Sequence, residues 1–336
     1  MINFAEYVIQ PPNRYVAQQI ATRLKQIDPD NNMGQFGKLV LRYGAVTGRQ
    51  PLPALKPALI IMCADHGIAS YGISAFPANV TIQMIKSYVQ GVAGANVFAH
   101  YADAKVFIVD VGVNADLTVW PEVLSYKVAN GTRDFTKGPA MTYQEAIAGI
   151  FAGMKIADKC INQGFNILIT GEMGIGNTTS SAALASAFLQ LPSEKTVGRG
   201  SGINTERMLI KQKIVAKGLE VNNPQTGDAL DILQKLGGFE HAGLAGLMLG
   251  GAARGIPTVV DGVNATAAAL VAVGLCPECK NYLFASHLSR EPIHAKLLQY
   301  LGLEPVIDAH MRLGEGTGAC LFVKILQMAL DVFKHA

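Results

Sequence analysis

Charged residues, tryptophan and long apolar runs are scarce in this chain of 336 residues. Only 16% of the residues are charged, one is tryptophan, and the net charge at pH 7 is +3. No cluster of lysine and arginine stands out, so nucleic acid is not indicated as a partner. The longest apolar stretch, around 242–253, is rich in glycine and too short to span a bilayer. No basic segment followed by an apolar stretch opens the chain, so we expect no signal peptide, no membrane partner and a cytoplasmic location.

Cysteine is also sparse, and its pattern argues against a metal site. The five cysteines are scattered, and Cys276-Pro-Glu-Cys279 has no second pair at zinc-ribbon spacing. We interpret this motif as a chance pair at a junction between a helix and a strand, with a redox or metal role as the alternative. The histidines, including His287 and His294, lack the spacing of metal ligands. No metal is therefore expected.

Glycine and apolar residues are abundant, and their order indicates the fold class. The chain has 35 glycines and is 50% hydrophobic, which is typical of a compact protein with many tight turns. Apolar runs that read as buried strands alternate with segments of helical periodicity. This alternation predicts a three-layer αβα fold with a mostly parallel, Rossmann-like sheet. The predicted strands are 58–64, 105–113, 166–170, 257–261 and 282–286, and the predicted helices are 80–101, 143–163, 180–189, 205–219, 229–236 and 243–254.

A proline-rich connector at 50–57 separates two parts of the chain. Residues 1 to about 46 have helical spacing, broken at 28–32, and the chain closes with an apolar helix after residue 318. We therefore expect a small helical domain formed by residues 1–50 and completed by the C-terminal helix 319–336. Residues 57–318 would form the α/β catalytic domain.

Polar residues end several of the predicted strands. Because ligands bind outside the carboxyl ends of the strands in an open parallel sheet, these residues are expected to face one crevice. They are Asp65, Asp110, Glu172, Asp261 and Ser286.

The loop Gly171-Glu-Met-Gly-Ile-Gly-Asn-Thr-Thr179 follows one of these strands and precedes a helix. A glycine loop that leads into a helix N-terminus is an anion site, since free backbone N–H groups point outward there. Gly174 and Gly176 let a ligand approach the backbone closely. The carboxylate of Glu172 is unusual beside bound phosphate unless it serves a cationic or proton-bearing part of the ligand.

Two further glycine loops share this pattern. Gly314-Glu-Gly-Thr-Gly318 again places a carboxylate among glycines before a helix, and Gly198-Arg-Gly-Ser-Gly202 suits phosphate. No Gly-Lys-Ser/Thr follows, and the dinucleotide fingerprint is incomplete, so neither a Walker A loop nor an NAD-binding dehydrogenase is indicated. Spacing alone predicts a phosphorylated small molecule and two carboxylates. Plain structural turns with solvated glutamates remain the alternative.

Longer motifs give a specific resemblance. The loop 171–179 resembles the signature of nicotinate-nucleotide–dimethylbenzimidazole phosphoribosyltransferase, a family of cobamide (vitamin B12) synthesis that includes relatives activating phenolic bases. The similarity runs from about residue 58 to the C-terminus in the family's order. The other matching motifs are Cys63-Ala-Asp-His-Gly67, Val109-Asp-Val-Gly112, Phe135-Thr-Lys-Gly-Pro-Ala-Met141, Gly198-Arg-Gly-Ser-Gly202, Leu236-Gly-Gly-Phe-Glu240, Asp261-Gly262, Ser286-His-Leu-Ser289 and Met311-Arg-Leu-Gly-Glu-Gly-Thr-Gly318.

The resemblance implies a pentosyltransferase without cofactor that moves phosphoribose from nicotinate mononucleotide to 5,6-dimethylbenzimidazole or a related base. Nicotinate leaves, the anomeric carbon is inverted, and an α-riboside phosphate forms. It also implies Glu315 as the general base and Glu172 as a second, orienting or electrostatic carboxylate. The phosphoribosyl and nicotinate side is assigned to Gly174, Ile175, Gly176, Asn177, Thr178, Thr179, Gly200, Ser201, Gly202, Lys211 and Asp261.

Two residues of the matching segments, Lys211 and His66, have competing interpretations. A lysine on an amphipathic helix, such as Lys211, is more often a solvated charge than a ligand. His66, in the Asp-His-Gly motif, is interpreted as a hydrogen-bonded core histidine rather than a catalytic group.

The segment after Asp-His-Gly lines the base pocket in the family. The base-binding residues implied for this chain are Phe76, Met84, Met173 and Leu313. Phenylalanine and methionine make this pocket apolar and adaptable. Phenol or p-cresol is therefore an alternative acceptor. The other interpretation is that these side chains reflect ordinary sequence drift within the family.

The N-terminal part departs from the family pattern. Segment 30–37 keeps the glycines of a Lys-Pro-x-Gly-Ser-Leu-Gly element but lacks its lysine, proline and serine. The family forms dimers in which the partner helps to close each active site. We therefore expect a homodimer or a heterodimer with a homologous subunit. A non-catalytic subunit that supports an active homologue is an alternative, disfavoured because both glutamates are present.

Overall fold

The computed structural model of the protein describes residues 8–336, and the helical interpretation of residues 1–7 lies outside them. Its centre is one parallel sheet of six strands in the order β3-β2-β1-β4-β5-β6. The strand order reverses between β1 and β4, which makes a crevice at their carboxyl ends. The strands are β1 Pro57–Ala64, β2 Lys105–Gly112, β3 Val123–Ser125, β4 Ile167–Met173, β5 Thr258–Val260 and β6 Leu283–Ala285.

Helices cover both faces of this sheet, so the predicted three-layer α/β fold is confirmed. None of the helices in residues 8–336 combines the length and hydropathy needed to cross a membrane. The helices are α1 Arg14–Ile27, α2 Gln35–Thr47, α3 Val80–Gln90, α4 Gly94–Tyr101, α5 Tyr143–Asn162, α6 Asn177–Leu189, α7 Ser193–Thr196, α8 Thr205–Asn222, α9 Ala229–Leu236, α10 Phe239–Ala253, α11 Val263–Leu275, α12 His294–Leu301 and α13 Thr317–His335.

Strand β1 shows why the sheet is buried on both sides. All eight of its residues are buried. A Cβ atom on Gly243 of α10 would lie 3.1 Å from the Met62 sulfur, and one on Gly316, before α13, would lie 2.3 Å from Leu59 Cδ1. Side chains of opposite parity point to opposite faces of a strand. The continuous apolar run therefore reflects one helix layer on each face.

The small residues of α10 serve close helix packing against α5. A Cβ atom on Gly153 of α5 would lie 1.9 Å from the Gly243 carbonyl oxygen, and one on Gly246 would lie 1.8 Å from the Ile150 carbonyl oxygen. The two backbones are thus in direct contact. This close packing explains why α10 is rich in glycine, low in polarity and buried along almost its whole length.

The structure corrects several predicted elements. The predicted helix 80–101 is two helices, because α3 ends at Gly91, whose φ of 76° is left-handed. Strand β3 and helices α11 and α12 are present but were not predicted. The predicted strand 257–261 is only the three residues of β5. Cys276 and Cys279 do lie between a helix, α11, and a strand, β6, as expected.

The helices at the two ends of the chain lie together. Helix α1 crosses α2 at Gly44, where a Cβ atom would be 1.9 Å from Ile20 Cδ1, and α2 packs on α13. The division into a helical domain of residues 1–50 with 319–336 and a catalytic domain of residues 57–318 stays a prediction.

Candidate active site

A cleft of about 410 Å³ opens at the carboxyl ends of the central strands, within the usual size of a small-molecule site. The loop after β4, the start of α11 and the loop before α13 line it. It has an apolar side and a glycine-rich side, and both glutamates predicted for the site lie between them. Of the predicted residues, the lining includes Phe76, Met84, Glu172, Met173, Gly174, Ile175, Gly176, Asn177, Thr178, Gly200, Ser201, Leu313 and Glu315.

The two Gly-Glu loops lie directly against each other. A Cβ atom on Gly171 would be 2.9 Å from the Glu315 carbonyl oxygen, and one on Gly316 would be 3.0 Å from the Thr170 carbonyl oxygen. Glu172 Oε1 lies 3.0 Å from the position of a Cβ on Gly314. The glycines are therefore needed because the two backbones touch, and this contact brings both carboxylates to one wall.

Glu172 is the next-to-last residue of β4 and is almost fully buried, at 6% exposure. Burial raises the pKa of Glu172 to about 8, and the carboxylates of Asp261 and Glu315 add to this shift. A hydrogen bond from Asn264 opposes it, and Asn177 also donates to Glu172. Glu172 therefore holds or releases a proton near neutral pH, as a general acid or base must.

Glu315 has a left-handed backbone, with φ of 62°. Such a conformation costs free energy in a residue other than glycine and persists where its surroundings enforce it. Burial raises the pKa of Glu315, and the Tyr88 hydroxyl and the Ala95 backbone N–H, at the start of α4, oppose the rise. The carboxylate is thus half-buried beside a helix N-terminus and faces the cleft.

Asp261 does not line the cleft. Its side chain is 3% exposed and accepts hydrogen bonds from the backbone amides of Gly316, at 3.2 Å, and Ala319, at 2.9 Å. It therefore caps the N-terminus of α13 from beneath. These two hydrogen bonds support the Glu315 loop, and the donor-binding role predicted for Asp261 stays a prediction.

The glycine-rich side is built on the start of α6. The residue before this helix is Gly176, with φ of 106°, and no side chain caps the helix. The amides of Asn177 and Thr179 donate to the carbonyl oxygens of Gly174 and Gly176, and the positive end of the helix still favours an anion there. Gly200 lies directly beside this helix end, since a Cβ atom on it would be 2.8 Å from Thr178 Oγ1, and Ser201 lines the same cleft.

Lys211 lies behind this side and is only 1% exposed, so the interpretation as a solvated surface charge is wrong. Its Nζ atom donates a 2.8 Å hydrogen bond to Thr178 Oγ1. Burial lowers the pKa of Lys211 to about 8, opposed by the Glu291 carboxylate. The positive charge of Lys211 therefore acts on the cleft from behind the lining residues and not from the cleft surface. Thr179 and Gly202 do not line the cleft either, and Thr179 is fully buried.

The apolar side of the cleft is open to solvent. Phe76 is 52% exposed and Leu313 is 61% exposed, whereas Met84 and Met173 are half-buried. Ser201 Oγ accepts a 3.0 Å hydrogen bond from the backbone N–H of Ala75. This bond ties the loop that carries Phe76 to the glycine-rich side, so the two halves of the cleft are coupled.

Eleven lining residues were not predicted as site residues, among them Asn264, His287, Glu291 and Arg312. Glu291 Oε1 accepts a 2.8 Å hydrogen bond from the Gly200 amide, and Arg312 donates to the Gly200 carbonyl oxygen at 3.3 Å. They hold the loop 198–202 in place. Asn264 is three residues beyond a strand-end aspartate, and this proximity is the signal that could have found it.

His66 is a core histidine, as expected. It is 5% exposed, and its Nε2 atom lies 2.9 Å from Glu240 Oε1. Burial lowers the pKa of His66, but the Glu240 carboxylate outweighs it and the net pKa is raised. His66 does not line the cleft.

A family model described as Phosphoribosyltransferase matches residues 9–336. This chain belongs to the nicotinate-nucleotide–dimethylbenzimidazole phosphoribosyltransferase family. As a member it is a pentosyltransferase. The family assignment from the motifs is thereby confirmed.

Relatives of that name are similar over nearly the whole chain. The one from Chloroflexus aurantiacus is 43% identical over 304 residues, 90% of this chain and 87% of the relative. The one from Geobacter metallireducens is 41% identical over 328 residues, 97% of this chain and 93% of the relative. A crystal structure described as CobT from Thermus thermophilus superposes with a TM-score of 0.92 at 40% identity, covering 95% of this chain and 96% of that one.

Proposed function

We propose that this protein transfers phosphoribose from nicotinate mononucleotide to 5,6-dimethylbenzimidazole or a related base. The observation that carries the proposal is the contact of the two Gly-Glu loops, which sets Glu172 and Glu315 between an apolar mouth and an uncapped helix end. A donor with a phosphate and an acceptor with an aromatic ring need these three features together. The names of the relatives support the same two substrates.

The donor is proposed to bind with its phosphate at the start of α6, near Gly176 and Thr178. Backbone amides and the positive end of the helix attract the phosphate, and Lys211 adds charge through its hydrogen bond to Thr178. Nicotinate leaves as a neutral ring, because the nitrogen that was bonded to C1′ carries a positive charge in the donor. Its departure therefore needs no acid.

The acceptor ring is proposed to lie between Phe76, Met84 and Met173, on the opposite side of the ribose. Attack of a ring nitrogen on C1′ from that face inverts the anomeric carbon. The attacking base then carries one proton too many, and Glu315 takes it. Glu172 stabilises the positive charge that develops on the ribose.

The proposal is tested by incubating the purified protein with nicotinate mononucleotide and a panel of aromatic bases. We expect the α-riboside phosphate of dimethylbenzimidazole and one equivalent of nicotinate, identified by mass and by the NMR coupling of the anomeric proton. The E315Q variant should lose most of this turnover while keeping donor binding. Wild-type protein that binds the donor but gives no product with any base, alone or with a partner, contradicts the proposal.

Phenolic bases are a second candidate class of acceptor, favoured by the apolar Phe76, Met84 and Met173. A phenol presents a small ring and one oxygen, and it needs a base to become a good nucleophile at neutral pH. The test is turnover with p-cresol in the same assay. Product from dimethylbenzimidazole but none from p-cresol rules this class out.

A second subunit is proposed to cover the outer face of α13 and α4, in a homodimer or in a heterodimer with a homologous subunit. These two helices pack together and run from the Glu315 loop. Large apolar side chains are exposed along them, from 36% to 71%: Val97, Tyr101, Leu321, Met328 and Val332. Light scattering on wild type, M328K and the control Q299K on α12 tests this. We expect only M328K to dissociate, and a monomeric wild type overturns the homodimer.

A non-catalytic role as a supporting subunit is the competing function. Both glutamates line the cleft in this chain, which favours catalysis. Assaying E315Q with and without a homologous partner distinguishes the two roles. Full activity of a mixture that contains E315Q would show that this chain only supports its partner.

A further inference from the structure

A group of buried polar side chains lies behind the wall of the cleft that carries Glu172. Their exposure runs from 0% to 8%, so each needs a hydrogen-bond partner inside the protein. Only the last of them, Asn264, lines the cleft. In order from the core to the cleft they are His66, Glu240, His241, Ser181 and Asn264.

These side chains form one continuous row of contacts. Glu240 Oε1 lies 2.9 Å from His66 Nε2 and 2.7 Å from His241 Nδ1. The other ring nitrogen of His241 lies 2.8 Å from Ser181 Oγ. Ser181 Oγ lies 2.8 Å from Asn264 Oδ1. Asn264 lines the same cleft as Glu172, where hydrogen bonding from its side chain lowers the pKa of Glu172. The row thus reaches from a buried ion pair to a carboxylate of the active site.

The hydrogen bonds of this row can be assigned a direction. Serine has a single hydroxyl proton, and Ser181 donates it to Asn264 Oδ1. Ser181 Oγ must therefore accept from His241 Nε2, so that nitrogen carries a proton. The Asn264 oxygen is occupied by Ser181, and its NH₂ group is left to face Glu172.

The other nitrogen of His241, Nδ1, lies 2.7 Å from Glu240 Oε1 and accepts a 3.2 Å hydrogen bond from the Gly238 backbone N–H. A backbone N–H can only donate, so this contact places the proton of the imidazole on Nε2, in agreement with the bond to Ser181. The hydrogen bonds therefore run from the Gly238 amide through His241 and Ser181 to Asn264. Burial raises the pKa of Glu240, but His66 and His241 outweigh it and hold that pKa well below its ordinary range.

We propose that this row is a one-way hydrogen-bonded chain that orients the Asn264 amide with its N–H toward Glu172. Two of its members, Ser181 and His241, do not line the cleft. They are positioning residues. If the chain ran the other way, the Asn264 oxygen would face the Glu172 carboxylate, and Glu172 would have to be protonated. The proposal depends on the function proposed above only for the catalytic role of Glu172.

The chain acts against several groups that favour protonated Glu172. The carboxylates of Asp261, Glu240 and Glu315 face it from β5, α10 and the loop before α13, and burial acts in the same sense. Asn264 and Asn177, from α11 and α6, donate to it. The N–H groups of these two amides are therefore what keeps a share of Glu172 ionised.

The test compares S181A with S180A. Both serines are fully buried neighbours in α6, but Ser180 donates to the Leu236 carbonyl oxygen and is not part of the chain. A hydrogen bond to a charged group is lost or weakened only in S181A, so we expect the pKa of Glu172 to rise by about one unit there and not in S180A. The acidic limb of the pH profile of kcat/KM should move up by the same amount, which lowers turnover at pH 7 up to about tenfold, with the KM for the donor unchanged.

A readout without turnover keeps this test separate from the proposed function. The carboxyl carbon of Glu172, labelled with ¹³C and assigned by its loss in E172Q, can be titrated by NMR in wild type, S181A and S180A. The ring nitrogens of His241 report its tautomer in unmodified protein, and we expect the proton that faces Ser181 to lie on Nε2. Wild type without product but with the expected titrations would overturn the function and leave the chain intact.

Three results overturn the proposal. A His241 ring without a proton on Nε2 in wild type removes the direction of the chain, whether or not any variant folds. Equal Glu172 titration curves in S181A and S180A show that Ser181 does not act on the carboxyl. A shift of the same size in both variants shows a general effect of weakened packing, which thermal unfolding of the two proteins would measure.

Discussion

Asp261 accepts a 2.9 Å hydrogen bond from the backbone amide of Ala319 across the first turn of α13. A residue at the end of β5 is thereby joined to the helix that follows the Glu315 loop. The position of Glu315 in the cleft depends on a carboxylate from another strand that does not itself line the cleft.

Replacing this cap should affect both stability and turnover. We expect D261A to lose about 1–2 kcal/mol of unfolding free energy, as for other lost helix caps. Its kcat should fall while the KM for the donor stays near that of wild type, because the Glu315 loop moves and the glycine-rich side does not. Urea unfolding and steady-state kinetics measure this, with the exposed D308A as the control. An undiminished kcat in D261A would contradict the supporting role.

The contact between the two Gly-Glu loops makes Gly316 intolerant of any side chain. Its φ is 85°, and a Cβ atom there would lie 2.3 Å from Leu59 Cδ1. Gly164 has a similar φ of 90° but nothing within 4 Å of the Cβ position. Both G316A and G164A should lose about 1 kcal/mol through backbone strain. Only G316A should lose further stability and most of its turnover. Equal losses in the two variants would mean that the clash is relieved at little cost.

Donor binding should depend on Lys211 and on pH. We expect K211M to raise the KM for nicotinate mononucleotide about 10- to 100-fold, the effect of losing a hydrogen-bonded charge. The exposed Lys213 on the same helix gives the control K213M. Because burial lowers the pKa of Lys211 to about 8, the KM of wild type should rise above pH 8 as the ammonium loses its proton. A KM that rises equally in K211M would assign that pH dependence to another group.

The buried carboxyl of Glu172 should make stability depend on pH. Its folded pKa of about 8 is above its ordinary value of 4.5, so the folded protein binds the proton more tightly than the unfolded chain. The stabilisation is complete below pH 4.5 and is lost as the pH rises toward 8. E172Q stays neutral, so between pH 5 and pH 8.5 it should lose less stability than wild type, by on the order of 4 kcal/mol. Urea unfolding at the two pH values tests this difference, with the exposed E194Q as the control. Equal losses of unfolding free energy in wild type and E172Q would contradict the raised pKa of Glu172.

Sequence patterns predicted the sheet well because its central strands are continuous apolar runs with helices on both faces. The run at 58–64 and strand β1 differ by one residue. The three-residue strands were harder, since β3 and β5 are too short to show a period. The break between α3 and α4 at Gly91 was missed because apolar residues continue on both sides of it.

The candidate site was predicted where residues adjacent in the chain carry it. The glycine loops, Glu172 and Glu315 form such motifs, and the structure brings them to one cleft. The sequence located Asp261 in a motif and Lys211 on a predicted helix. Their burial and their hydrogen-bond partners, however, depend on elements distant in the chain. Glu291 and Asn264 were missed for the same reason.

The sequence by itself determined the family, the three-layer α/β fold and the two Gly-Glu loops, because each follows from local pattern and from motifs read in order. Only the tertiary structure decided that these loops touch and that Asp261 holds one of them from behind. It likewise decided that a buried histidine is linked through Ser181 and Asn264 to Glu172. Such relations join residues more than 50 positions apart, and only packing of the folded chain brings their atoms within hydrogen-bond distance.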